Sequence, residues 1–463
     1  MNITSRYGQS FQRFIHNFAA YGFGQVINIV IQFFSIPLFL HYWSKEEYGE
    51  WLVLTSIPSL LWTLDNSLAG LAGSRMTVFT AKGDWEQANQ IFRNVMTIQN
   101  ALGILVFAIT VLVVNTCNIS AIFGFTHLSR SQADRVLLLM MGYLVIAFYM
   151  GFPRAAYRAS MLEARAVVVG NCCALSGFVI TVIVLTLGGH PVEVACGLLG
   201  CFSFWVIFMF IDVRRRCPKI DFAFGLVSFA QTRRTFADGV PILAGQAAGA
   251  FFLQGYPLVV NHLLGPVWVV TLTTLRTASR TLFQGVQIVS MASSAELSRT
   301  YGNKDWEGYL RLVKVLLAVT IWSAVGAGVG LTVFGPWVIA KWTSGKVVVD
   351  HTIMFLFALS VAFQCGWSAC NFCLVSTNMH HSFNYIYLCL TLAGLCLVNI
   401  LEHAFGFMGV PLTMVIIDGL LLGWALHICR TKLTFMPLGS LSVVFQPSFY
   451  AGKAEHFLKR KEV

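Results

Sequence analysis

Charge is what this sequence has least of. Asp, Glu, Lys and Arg make up 11% of its 463 residues, against about a quarter in soluble domains. Hydrophobic residues reach 57% and mean hydropathy is +0.71. So apolar a chain would expose more greasy surface than water tolerates, and its expected solvent is lipid. Nucleotide-binding sequence is missing as well. No G-x-x-x-x-G-K-[ST] occurs: Gly345-Lys346 is followed by Val347, and Ala340 stands where the first glycine belongs. H-E-x-x-H and G-x-S-x-G are absent too, as are large polar loops in which an active site could be built. A soluble enzyme is excluded. No catalytic residue, cofactor or metal is expected, and any energy the protein uses would come from a gradient or from what it binds.

Cysteine is present, twelve times, but not as a disulfide framework. Cys172, Cys173, Cys196, Cys201, Cys389 and Cys396 lie inside apolar runs, where Cys packs as a small hydrophobe. Cys370-Asn-Phe-Cys373 has C-x-x-C spacing but falls in an apolar segment with no second pair. His380-His381 has no further ligands nearby in sequence. The formal charge of +11 invites a nucleic-acid reading, yet the basic residues sit between apolar stretches, as topology determinants do.

Those stretches fall near 18–40, 50–72, 93–114, 136–153, 166–187, 192–211, 240–261, 267–293, 312–340, 351–375, 383–401 and 407–428. The expected fold is an all-α integral membrane protein of about twelve transmembrane helices. Residues 1–17 carry only Arg6 and Arg13 before a run of full spanning length, so the first helix reads as an uncleaved insertion signal. The polar stretch 221–239 divides a six-helix lobe, 1–220, from a second, 240–430, and a basic tail follows at 431–463. With a cytoplasmic N-terminus, inner segments hold 24 of the 31 basic residues and outer loops hold 5. That asymmetry places both termini in the cytoplasm.

The two lobes resemble each other at a shift of 221 residues. Gly24-Gln25 maps on Gly245-Gln246, His41 on His262, and Asp84-Trp85-Glu86 on Asp305-Trp306-Glu307. Six helices per lobe make this a parallel repeat about an axis along the membrane normal, the kind of lobe pair that encloses a central cavity and rocks. Asp84 and Asp305 each follow a polar turn and are read as N-caps.

Ionisable residues inside the spans are the sharpest functional signal, because a charge at that depth is costly and usually faces a cavity. Arg276 and Arg280 are one turn apart on one face of the eighth segment, roughly 16 and 22 Å in from Gly265. A diphosphate would suit two guanidinium forks; pairing with acids on neighbouring helices is the alternative. Those acids are Asp65 and Asp418, each a counter-ion or a protonatable coupling site, though Asp65 with Asn66-Ser67 could instead cap or break its helix. Arg154 and Arg158 share a face at the inner end of the fourth segment, followed by Glu163 and Arg165. They suit an anionic cargo, and plain positive-inside anchoring equally.

From Asn17 to Phe92 the sequence resembles an O-antigen or polysaccharide repeat-unit flippase. The resemblance lies in Tyr21-Gly22-Phe23-Gly24-Gln25, Ile36-Pro37-Leu38-Phe39-Leu40, Trp43 to Trp51 with Tyr48-Gly49-Glu50-Trp51, Ser56-Ile57-Pro58 with Asp65, and Ala81-Lys82-Gly83-Asp84. Such proteins belong to the multidrug, oligosaccharidyl-lipid and polysaccharide exporter superfamily. The resemblance implies two six-helix lobes around a cationic central cavity in a bacterial plasma membrane. Its implied cargo is an undecaprenyl-diphosphate-linked oligosaccharide, flipped from the inner to the outer leaflet. Membrane lipids, a glycan polymerase and chain-length proteins are the partners it suggests; nucleic acid is not one. Arg276 and Arg280 are the residues carried onto the anion site. Two features depart from the pattern: Asn66-Ser67 follows Asp65 where Leu-Gly is commoner, and the first lobe has no mid-membrane cation. The runner-up is a cation-coupled multidrug antiporter of the same superfamily, which would want buried acids and aromatics. A non-transporting scaffold for glycan assembly comes third.

Overall fold

The computed structural model describes residues 3–221 and 240–433; side chains 3–18, 63–69, 71, 81, 282, 286, 288–292 and 294–295 lie outside that description. The expected linker and tail therefore fall almost wholly outside it, as does the side chain of Asp65. The described residues form twelve helices of at least 24 residues and one short one. They are α1 (Ile3–Tyr42), α2 (Lys45–Ala81), α3 (Trp85–Thr116), the short α4 (Ile119–Phe123), α5 (Arg130–Ala159), α6 (Glu163–Thr186) and α7 (Pro191–Arg216). Then come α8 (Val240–Leu264), α9 (Pro266–Gly302), α10 (Trp306–Trp342), α11 (His351–Ser376), α12 (His381–Phe405) and α13 (Gly409–Lys432). Nine stretches are long and apolar enough to span a bilayer, and one of them, His381–Lys432, holds both α12 and α13. The protein is an all-α, multi-pass membrane protein. No other regular structure than helix satisfies its own backbone in lipid without closing into a barrel.

Helix starts are set by side chains that cap free amides. Ser44, Asp84, Asn118, Asp305 and Asp350 each accept from the backbone N–H three residues on, and Ser129 with Gln132 closes a capping box. Asp84 and Asp305 are thus N-caps, as the sequence indicated. Gly265, at φ 87°, makes the single-residue turn between α8 and α9, a conformation that suits glycine, and Pro266 opens α9 where no amide partner is needed. In α8 the π-turn Phe251–Gly255 precedes Pro257, whose nitrogen cannot donate to the helix.

The repeat is visible in the frame. Helices α2, α3 and α5 begin at 45, 85 and 130, and α9, α10 and α11 begin at 266, 306 and 351, each 221 later. Neighbours correspond as well: α3 packs on α5, α5 on α7 and α6 on α7, and likewise α10 on α11, α11 on α13 and α12 on α13. The counterparts α3 and α10 are both largely exposed, with 17% and 22% of their apolar windows buried, and the counterparts α5 and α11 are both largely covered, at 61% and 56%. Packing divides the chain into two compact units, Met1–Thr273 and Thr274–Val463. In the first, α8 packs against α2, and α2 crosses α5 closely where Gly73 meets Ala155.

Candidate functional site

In the first unit, α1, α2, α5, α6 and α7 enclose a cavity of about 680 Å³. Its shape follows from close helix crossings. A Cβ on Gly24 would stand 2.4 Å from Asn171 Oδ1, so glycine at this station of α1 leaves room for the Asn171 side chain of α6, whose Nδ2 donates to Ala20 O at 3.1 Å. Arg154 and Arg158 both line this cavity, and their fates differ. Arg158 forks onto Glu163 through Nε and Nη2 at 3.0 Å each, and Tyr21 OH donates to the same carboxylate at 2.7 Å. Arg165 forks onto Asp212 at 2.6 and 2.8 Å, which also accepts from Tyr157 and Arg216, and Arg93 pairs with Asp221. Arg154 is the exception. Among the described residues it has no hydrogen-bond or ion-pair partner, and its Nη2 lies against α6, 3.1 Å from where a Cβ on Gly170 would be.

In the second unit, α9 carries Arg276 and Arg280 on one face, both half-buried. Asp418 of α13 is completely buried, and neutral donors occupy both its oxygens: Ser360 Oγ at 2.6 Å and Trp367 Nε1 at 3.0 Å, both from α11. Neither Arg280 nor Asp418 has an ion pair among the described residues. Trp367 packs against Tyr387 of α12 with ring centres 5.1 Å apart and planes tilted by 49°, and Tyr387 lies within the electrostatic reach of Asp418, Arg280 and Arg276. Four helices thus bring a buried acid, two arginines and a phenol together. Ser360, Trp367 and Tyr387 carry no local sequence signal; each becomes relevant only through partners on another helix.

A third polar arrangement, Glu50 on α2, was also missed by sequence reasoning. It is fully buried, and its carboxylate accepts from the backbone amides of Thr126, His127 and Leu128 at 2.7, 2.9 and 2.7 Å. Around it, Phe39 stacks on Tyr48 at 5.0 Å, Trp43 Nε1 donates to Gly189 O, and Gly49 passes so near Pro266 O that a Cβ would lie 2.2 Å away. The Tyr48-Gly49-Glu50-Trp51 station is therefore a structural clasp. The twelve cysteines are all free, and Cys370 and Cys373 are buried in the second unit's core.

No family model matches this sequence, and no curated protein does. Solved structures do match in fold. An inward-facing multidrug resistance MATE family transporter of the MOP superfamily aligns at TM-score 0.69 and 13% identity, over 88% of this chain and 99% of the other. The lipid II flippase MurJ, in an inward closed conformation, aligns at 0.68 and 15%, over 92% and 89%. A MOP superfamily transporter from Pyrococcus furiosus, described by the reverse polarity of its binding pocket, aligns at 0.62 and 12%, over 93% and 96%. The chain has the fold of these transporters.

Proposed function

We propose that this protein is a flippase for an undecaprenyl-diphosphate-linked oligosaccharide, an O-antigen or related polysaccharide repeat unit. It moves the cargo from the inner to the outer leaflet of a bacterial plasma membrane by alternating access. The observation that carries this reading is the arginine pair on α9. Arg276 and Arg280 lie roughly 15–22 Å along a membrane helix, and the described residues offer Arg280 no carboxylate. A cation held at that depth calls for an anion, and two guanidinium forks on one face fit a diphosphate. The sugar cannot cross about 30 Å of hydrocarbon without losing its water, so a hydrated path that leaves the lipid tail in the bilayer lowers the barrier. Sharing a fold with a lipid II flippase supports the reading. In the orientation that the basic residues favour, α9 enters from the outside and both termini are cytoplasmic.

The test is glycan display at the cell surface, measured with membrane abundance, in Arg276→Ala and Arg280→Ala. Both should lose display while remaining inserted and abundant, and lysine should restore it only in part, since a point charge lacks the fork. Normal display in both alanine variants would refute the diphosphate site. A second reading, a cation-coupled multidrug antiporter, draws on Asp418, a buried acid with no ion pair among the described residues, and on the shared MATE fold. It predicts efflux of a fluorescent organic cation that Asp418→Asn abolishes; the flippase reading predicts no such efflux.

A further inference from the structure

We infer that the cavity of the first unit is a saccharide subsite selecting a glycan that bears a carboxylate, with Arg154 as its anchor. This rests on the flippase reading and names the cargo chemistry that the reading leaves open. At about 680 Å³ the cavity falls in the range of small-molecule sites, roughly 300–1,000 Å³. Its walls are of two kinds. Trp62 and Tyr143 bring aromatic surface, and Gln25, Asn28 and Asn171 bring amides. A pyranose ring presents the matching pair, an apolar C–H face for an aromatic and a rim of hydroxyls for amides. A purely hydrophobic ligand would strip water from Gln25 and Asn28 without replacing its hydrogen bonds, whereas Asn171 already spends one donor on Ala20 O.

Charge narrows the class further. Of the two arginines that line the cavity, Arg158 is held by Glu163, while Arg154 makes no ion pair or hydrogen bond among the described residues and feels Glu163 only at a distance. Glu163 is itself held by two donors, Arg158 and Tyr21, which leaves an organic cation little to bind and a guanidinium to repel it. One free fork matches one carboxylate. Gly170 fixes where that fork lies: with no Cβ in the way, the Arg154 guanidinium rests against the α6 backbone at the cavity wall.

The full-length protein in lipid nanodiscs is titrated calorimetrically with a uronic acid trisaccharide and with its methyl ester, which has the same rings without the charge. Wild type should bind the acid at least tenfold more tightly than the ester. Arg154→Gln should erase that preference, and Arg154→Lys should retain part of it. Gly170→Ala, which crowds Nη2, should weaken the acid and leave the ester unchanged. Equal affinity for acid and ester in wild type, a comparison that needs no variant, would overturn the inference. So would a preference that survives in a monodisperse Arg154→Gln protein, or equal displacement by inorganic phosphate, which would make the anchor a phosphate site. Binding of undecaprenyl diphosphate is measured beside it. Its binding without any acid preference sinks the saccharide inference alone; acid preference without its binding sinks the flippase reading alone.

Discussion

The two repeats share a frame and differ in where they put positive charge. At the 221-residue offset, Arg276 and Arg280 of α9 correspond to Thr55 and Ser59 of α2. Those two hydroxyls turn back on their own helix, to the carbonyls of Trp51 and Thr55 at 2.9 and 2.7 Å. Arg154 of α5 corresponds to Val375 of α11, and Arg158 to Met379, in the turn beyond α11. One unit thus carries its arginines far along the second long helix of the repeat, the other near the end of the fourth. Caps and turn residues recur because they set where a helix starts. Charges do not recur, because a guanidinium is tolerated in the bilayer only at a station that opens on water or on an anion.

Breaking this asymmetry should give the largest effect. Arg276→Ala or Arg280→Ala should each weaken undecaprenyl diphosphate binding by roughly tenfold to a hundredfold, the value of a lost charge-assisted contact. Thr55→Ala and Ser59→Ala, at the corresponding stations, should leave that affinity within about twofold. A comparable loss from the α2 variants would mean that both units hold the anion in the same way, and the contrast would fail.

The next effect sets Glu50 against its counterpart Thr271. Glu50→Ala strands three backbone amides in a buried site, at about 1–3 kcal/mol for each that finds no water. Thr271 only back-bonds to Val267 O at 3.4 Å, so Thr271→Ala should cost well under about 1 kcal/mol. Thermal unfolding in detergent, followed by size-exclusion recovery, should separate the two clearly. Matching midpoints would show that the clasp contributes no stability.

Glu50 also marks the limit of what the sequence makes legible. The twelve apolar segments correspond to the twelve long helices, because hydropathy reads the part of each helix that meets hydrocarbon. Their ends were less visible. The segment expected at 50–72 is a helix from Lys45 to Ala81, and that at 312–340 runs from Trp306 to Trp342. The extra turns lie in the interfacial region, where polar residues remain helical and only a cap such as Ser44 or Asp305 marks the start. The Arg158–Glu163 pair was within reach of sequence reading, five residues apart across one turn. Glu50 was not: its amides lie 76 to 78 residues away. Nor were the partners of Asp418, 58 and 51 residues upstream. Gly24 belongs with these. Its motif could be recognised, but the reason for glycine lies on α6, and Gly24→Ala should cost about 0.5–1.5 kcal/mol by turning the Asn171 amide away from Ala20 O.

The smallest effect tests the shared frame itself. Asp84 and Asp305 stand at the same station of the repeat, and each accepts one amide hydrogen, from Gln87 and Gly308 at 3.0 and 2.9 Å. Both are exposed, with backbone angles within a few degrees of each other: φ −86° and ψ 79° for Asp84, φ −80° and ψ 81° for Asp305. The same geometry should carry the same free energy. Asp→Ala at either position should cost about 1 kcal/mol, near the middle of the range for an N-cap. Asp→Asn, which keeps the acceptor oxygen and loses only the charge at the helix N-terminus, should cost a few tenths. Measured one by one and then together, the two alanine costs should add, since the caps are on different helices and share no partner. A cost at Asp84 with none at Asp305 would mean that the second cap is a sequence echo without a structural role, and that the units correspond in outline but not in what holds them.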